Sequence, residues 1–177
     1  EEVGAARVRF ASGCSDTACS HDTAFGEAVA LVDGSAAVVA VMGLQGNSRG
    51  ANEIEGHDRL NISLPGLQEE LLARLRASAT AAGVPLIVVL MSGGALPSPW
   101  ADEHADAVLW TGYNGEFAGN GLFDVLSGRV NPGARLPYTV PMNTDQLPDI
   151  TQYQYRPNAE GLGRTYRWIN TTSQSPL

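Results

Sequence analysis

Three continuous apolar runs punctuate the chain: AAVVAVMGL at 36–44, PLIVVLMSGG at 85–94 and ADAVLWTGY at 105–113. A run without polar alternation is the pattern of a strand covered on both faces, so three buried parallel strands are predicted. Around them the period changes to that of a helix. HDTAFGEAVALVDG offers Asp22 or Thr23 as N-cap, Phe25, Val29 and Val32 on one face, and Gly34 as a stop. LPGLQEELLARLRASATAAG has Pro65 near its start, Leu67, Leu71, Leu72 and Leu75 in one stripe, and Gly83 as its stop. GEFAGNGLFDVLSG predicts another helix from about Glu116, with Phe117, Leu122, Val125 and Leu126 buried.

Alternation of strand and helix is the pattern of an α/β sheet with helices on both faces. After Pro132 the texture turns to Pro, Asn, Gly and Tyr without helical period. One late edge strand, LPYTV at 136–140, is predicted there, followed by a long arm. The length of 177 residues fits one domain with a sizeable core, assigned to residues 1–141, with 142–177 as the arm. In an open α/β sheet, ligands bind beyond the carboxyl ends of the strands. GLQGNSRGANEIEGHDR, SGGALPSPW and TGYNGEF follow the three strands onto that edge, and three loops there could line one cleft.

Composition narrows the partners. The formal charge is −8 and only 17% of residues are charged, which excludes the basic stripe of a nucleic-acid or anionic-membrane binder and favours neutral partners such as sugars. No apolar run approaches the ~18 residues of a membrane helix, and EEVGAARV has neither region of a signal peptide. Cys14 and Cys19 are compatible with a small disulfide, worth roughly 2 kcal/mol or less for so short a ring, or with two buried thiols. Two N-x-[ST] sequons, at Asn61 and Asn170, together with the cysteine pair, favour a secretory compartment: extracellular, cell wall, lysosome or vacuole.

Histidines at 21, 57 and 104 show no metal-ligand spacing. Ser92 in MSGG lacks the G-x-S-x-G context of a nucleophile elbow, and no lysine follows its glycines as a phosphate loop requires. Trp100 and Trp110 are read as core before sugar platforms. The dense cluster Glu53, Glu55, His57, Asp58 and Arg59 stands out in a chain with so few charges.

SGCSDTACSHDTAFGEAV, VVAVMGL, EIEGHDRLNISLPGLQEELL, the stretch from VVLMSGGALPSPW to GARLPYTVP, and GRTYRW run in one order over nearly the whole chain. In that order they resemble the C-terminal α/β sandwich domain of glycoside hydrolase family 3, in its β-xylosidase / α-arabinofuranosidase branch. The resemblance implies a three-layer sandwich with a mostly parallel sheet, and a retaining exo-glycosidase acting on xylo-oligosaccharides or related glycosides. In that family a barrel domain supplies an aspartate nucleophile, and the first glutamate of E-x-E-G-x-D-R is the acid/base. Matched residue by residue, this gives Glu53 that role, with Glu55 as second choice and Glu55, His57, Asp58 and Arg59 as loop or substrate supports. No cofactor is implied.

The chemistry explains the residue type. A neutral carboxylic acid protonates the leaving oxygen and its carboxylate later activates water, while a second carboxylate ~5 Å away forms the glycosyl-enzyme bond. No barrel is present in these residues, so the chain alone is expected to be inactive. The family domain also begins with a further buried strand, which makes the sheet incomplete at the N-terminus and leaves an open apolar edge. The barrel, that strand and a β-sandwich domain after GRTYRW are the implied partners, with Arg164, Tyr166 and Arg167 as interdomain contacts. A non-catalytic, carbohydrate-binding or structural component that keeps the fold is the alternative. The loop between Gly43 and Glu53 is longer than the family pattern, and its Arg49 is read as part of a solvated excursion before a sugar contact.

Overall fold

A computed structural model of the chain describes residue 4 and residues 7–46, 53, 54, 56 and 59–169. The three apolar runs form one parallel sheet: β1 Val38–Gly43, β2 Leu86–Met91 and β3 Ala107–Thr111, in the order β1-β2-β3. Gly43 lies opposite Met91 and Met91 opposite Thr111, so the strands end level at their carboxyl edge. Parallel pairing requires a crossover between successive strands. Helix α2, Gln68–Ala82, provides the first and α3, Pro99–His104, the second, while α1, Phe25–Ala30, precedes the sheet and α4, Ala118–Leu126, follows it.

Successive strand residues point to opposite faces. Ala40, Met42, Leu86, Val88 and Leu90 on one face share a core with Phe25 of α1, Leu71, Leu72, Leu75 and Ala79 of α2, and Ala101 of α3. On the other face Val89 is buried while Val39 and Val41 are exposed. The predicted stripe of α2 therefore faces the sheet, and Gly83 stops that helix in the left-handed conformation at φ 68°, where glycine has no Cβ to strain. Cys14 and Cys19 are joined in a disulfide in this structure.

The end of β1 is held by a buried amide. Gln68, the first residue of α2, accepts from the Gly43 amide through Oε1 at 2.8 Å. Its Nε2 donates to the Gly43 carbonyl at 2.9 Å and to the Thr17 carbonyl, inside the disulfide loop, at 2.7 Å. Gly43 needs to be glycine: its φ is 148°, and a Cβ there would lie 2.0 Å from the Met91 carbonyl oxygen.

Several local expectations are corrected. LPYTV forms no strand, since Pro137 and the following Pro141 carry no amide hydrogen for a ladder; the segment instead contributes the buried Val140 and the Tyr138 hydroxyl. Helix α1 ends at Ala30, and neither Asp22 nor Thr23 caps it; the Asp22 carboxylate pairs with Arg74. Helix α4 starts at Ala118 and buries none of its residues, and Phe117 is 73% exposed. Helix α3 was not anticipated in SPWADEH, although Ser98 caps it by accepting from the Ala101 amide and Pro99 opens it. That Ser-Pro start is a readable signal. Beyond residue 141 the described arm contains one 3-10 turn, Thr144–Gln146. Arg164 is committed within it, donating to the carbonyls of Gln152 and Asp149.

Replacing Gln68 by methionine keeps its length and removes its hydrogen bonds, leaving two backbone groups of Gly43 and one of Thr17 without this partner. The expected loss is about 3 kcal/mol, seen as a lower urea midpoint by circular dichroism; an unchanged midpoint would show that water replaces the amide.

Candidate active site

Three loops leave the level edge of the sheet, and their side chains meet there. The first departs along Leu44, Gln45 and Gly46 and returns at Glu53, whose amide donates to the Gln45 carbonyl at 3.2 Å. Gly46 and Glu53 form an isolated parallel bridge. The loop is thus closed at its base, and the position of Glu53 is set there. Residues 47–52, with Arg49, lie outside the described residues, as do Glu55, His57 and Asp58.

The second loop provides the seat for Glu53. Its Oε2 accepts from the Gly93 amide at 3.1 Å and from the Tyr113 hydroxyl of the third loop at 2.6 Å. Space is tight at Gly93, whereas Gly94 has room for a Cβ at ordinary contact distance. A Cβ on Gly93 would stand 2.8 Å from the Tyr113 ring and 3.1 Å from Oε2, and one on Gly94 would stand 3.4 Å from Oε1. The glycine turn is braced from below. Trp110 Nε1 donates to the Ser92 hydroxyl at 2.9 Å, and that hydroxyl donates to the Gly94 carbonyl at 2.7 Å. The Tyr138 hydroxyl donates to the same carbonyl at 3.1 Å, and its ring meets Trp110 edge-on at 5.6 Å. Ser92 is fully buried and acts as a strut in this chain of bonds.

Glu53, Ile54, Gln45, Met91 and Tyr113 border an open hollow of about 620 Å³. Electrostatics follow from the contacts. Burial, then the hydrogen bond to Glu53 and that residue's charge, push the Tyr113 phenol up to about 12, so it remains a donor through the neutral range. Burial pushes the Tyr138 phenol up as well, with the Glu53 charge adding to it. Arg59 is half-buried, and burial lowers its guanidinium although Glu53 and Tyr113 oppose that shift. Its Nη2 donates to the Ser63 carbonyl, which ties down the chain leading to α2.

Of the residues predicted for the site, the structure thus brings Glu53 and Arg59 to the sheet edge. Asn61 is exposed on the same segment, with Oδ1 accepting from the Ser63 amide at 2.9 Å, and Asn170 lies outside the described residues. Trp110 is half-buried beneath the site, whereas the Trp100 ring stacks on His104 with centroids 4.7 Å apart. Tyr113 and the pair Gly93–Gly94 were not singled out by sequence reasoning. The signal available was the Gly-Gly immediately after a buried strand, which marks a close approach to its backbone. Among the described residues no three of the His, Cys, Asp and Glu type are grouped to hold a metal ion, and no helix is long and apolar enough to cross a membrane.

Comparison with known proteins matches residues 4–170 to the glycosyl hydrolase family 3 C-terminal domain. A probable beta-D-xylosidase 6 of Arabidopsis thaliana is 37% identical over 92% of this chain and 20% of its own length. A beta-xylosidase/alpha-L-arabinofuranosidase 2 of Medicago sativa subsp. varia is 38% identical over 90% of this chain, again 20% of its own length. The chain therefore spans about a fifth of the curated relatives it matches. Among solved structures, a β-glucosidase of Erythrobacter marinus superposes with a TM-score of 0.59 at 33% identity, covering 75% of this chain and 17% of that one.

The Tyr113 contact can be read directly by NMR of 13Cζ-labelled tyrosine. The Tyr113 phenol ionises near 12 in the parent protein and moves down in Glu53→Gln, which removes the negative charge beside it. The fall stops short of the ordinary value near 10, because burial is the larger cause and remains. A Tyr113 titration indifferent to the substitution would refute the contact.

Proposed function

The chain belongs to glycosyl hydrolase family 3 as its C-terminal domain, and from that premise we propose that it carries the acid/base of a retaining, β-xylosidase-like exo-glycosidase. One observation carries the reading. Glu53, the first glutamate of the E-x-E-G-x-D-R pattern, stands at the carboxyl edge of a parallel sheet with its carboxylate fixed beside an open hollow. A carboxyl group that is anchored yet reaches a ligand-sized space is what proton transfer to a glycosidic oxygen requires.

In this reading a barrel domain of the same enzyme covers the hollow and supplies an aspartate nucleophile. Glu53 gives its proton to the leaving oxygen as the aspartate attacks the anomeric carbon, and the glycosyl-enzyme forms. The Glu53 carboxylate then takes a proton from water, which attacks the anomeric carbon and releases the aspartate. Arg59, with Glu55, His57 and Asp58 of the same motif, serves the loop or the sugar. The relatives named for xylosidase and arabinofuranosidase activity support a pentose as the terminal sugar. An exposed Asn61 sequon and the Cys14–Cys19 disulfide support a secretory-pathway compartment.

The test uses the intact enzyme that contains this chain, assayed on p-nitrophenyl xyloside, arabinofuranoside and glucoside beside its Glu53→Gln variant. The parent is expected to cleave the xyloside best, and kcat of the variant to fall by about a hundredfold or more. A folded, intact parent inert on all three glycosides would overturn the enzyme reading in favour of a non-catalytic carbohydrate-binding component.

A further inference from the structure

The two oxygens of the Glu53 carboxylate have unequal surroundings. Oε2 receives two hydrogens, from Tyr113 Oη at 2.6 Å and from the Gly93 amide at 3.1 Å. Oε1 lies over Gly94, and no hydrogen bond from the described residues reaches it. A carboxylate oxygen has two lone pairs in its plane, so both on Oε2 are taken. We propose that Tyr113 is a positioning residue which, with the Gly93 amide, reserves Oε2 as a fixed acceptor and leaves Oε1 as the oxygen that loses and regains the catalytic proton. The inference rests on the acid/base reading of Glu53 given above.

The proton balance follows. With the proton on Oε1, Oε2 is a carbonyl oxygen and accepts both hydrogen bonds. As the glycosidic C–O bond breaks, the Oε1 proton passes to the leaving oxygen and the group becomes a carboxylate, with the same two donors on Oε2. Neither donor has to move. Both bonds strengthen as the negative charge develops, because a hydrogen bond to an ionised acceptor is the stronger one. Oε1 then takes the proton of the attacking water as the glycosyl-enzyme ester is cleaved.

Tyr113 suits this task because its phenol remains protonated through the neutral range, being pushed up to about 12. Its ring rests against Gly93, so its hydroxyl and the amide are aimed together. Among the described residues the other titratable or charged groups facing the pair are Arg59 and Tyr138. The Tyr138 hydroxyl is occupied by the Gly94 carbonyl and an Arg59 guanidinium nitrogen by the Ser63 carbonyl.

Tyr113→Phe tests this in the intact enzyme, because it removes one hydroxyl and keeps the ring on Gly93. Two glycosides of the sugar that the parent cleaves best are compared: a disaccharide, whose leaving group needs a proton, and the 2,4-dinitrophenyl glycoside, whose leaving group does not. The expected result is a fall in kcat/KM of about tenfold on the disaccharide with little change on the dinitrophenyl glycoside. Rates falling equally on both substrates, or on neither, overturn the proposal and leave Tyr113 as packing. Glu53→Gln, run beside it, separates the two levels of failure. If that variant loses the disaccharide selectively while Tyr113→Phe does not, the positioning role alone is wrong; if it keeps both substrates, the acid/base reading falls and this inference with it.

Discussion

The carboxyl edge of the sheet depends on the hydrogen bonds of one buried side chain. An outer strand leaves the peptide groups on its open side to be satisfied by whatever packs there, and an unmet buried group costs more than a made hydrogen bond returns. Gln68 resolves this for β1 by taking the Gly43 amide on its oxygen and the Gly43 carbonyl on its nitrogen. Because it is the first residue of α2 and also donates to Thr17, the same side chain joins the strand end, the crossover helix and the disulfide loop. The loop carrying Glu53 departs from that joint at Leu44, whose own amide is held by the Met91 carbonyl.

A second layer of constraint sits on this base. Trp110, Ser92 and Tyr138 fix the Gly94 carbonyl, and the turn they fix presents the Gly93 amide to Glu53. Gly93 leaves free the space that a Cβ would take from the carboxylate and from the Tyr113 ring. Fixed donors, no side chain in the way and a hollow on one side amount to preorganisation in the electrostatic sense: charge can form on the carboxylate without the surroundings having to turn. The closed base at Gln45 and Gly46 fixes where the loop returns its glutamate to this seat.

Legibility in the sequence followed the length scale of the forces. The three strands and α2 were readable because burial on both faces of a sheet, or on one face of a helix, writes a periodic pattern over many residues. LPYTV was misread because an apolar alternating segment looks like a strand until its prolines are weighed against the amide hydrogens a ladder needs. Helix α4 carries an apolar pattern, yet none of its residues is buried among those described, since a pattern states what could be covered and not what covers it. Helix α3 is six residues long, too short for a period and marked only by its Ser-Pro start.

By itself the sequence determined the α/β alternation, the three loops that follow the strands onto one edge, the family and the glutamate on which a function can be proposed. These follow from local periodicity and from motif order, which are properties of the chain read in one dimension. Only the tertiary structure decided that Tyr113, sixty residues from Glu53 in sequence, shares its carboxylate with the amide of Gly93, forty residues away. It also decided that a buried glutamine rather than a ladder partner finishes β1. Such contacts span loops whose closure leaves no periodic trace, and they are fixed by the register of β1, β2 and β3 at the sheet edge.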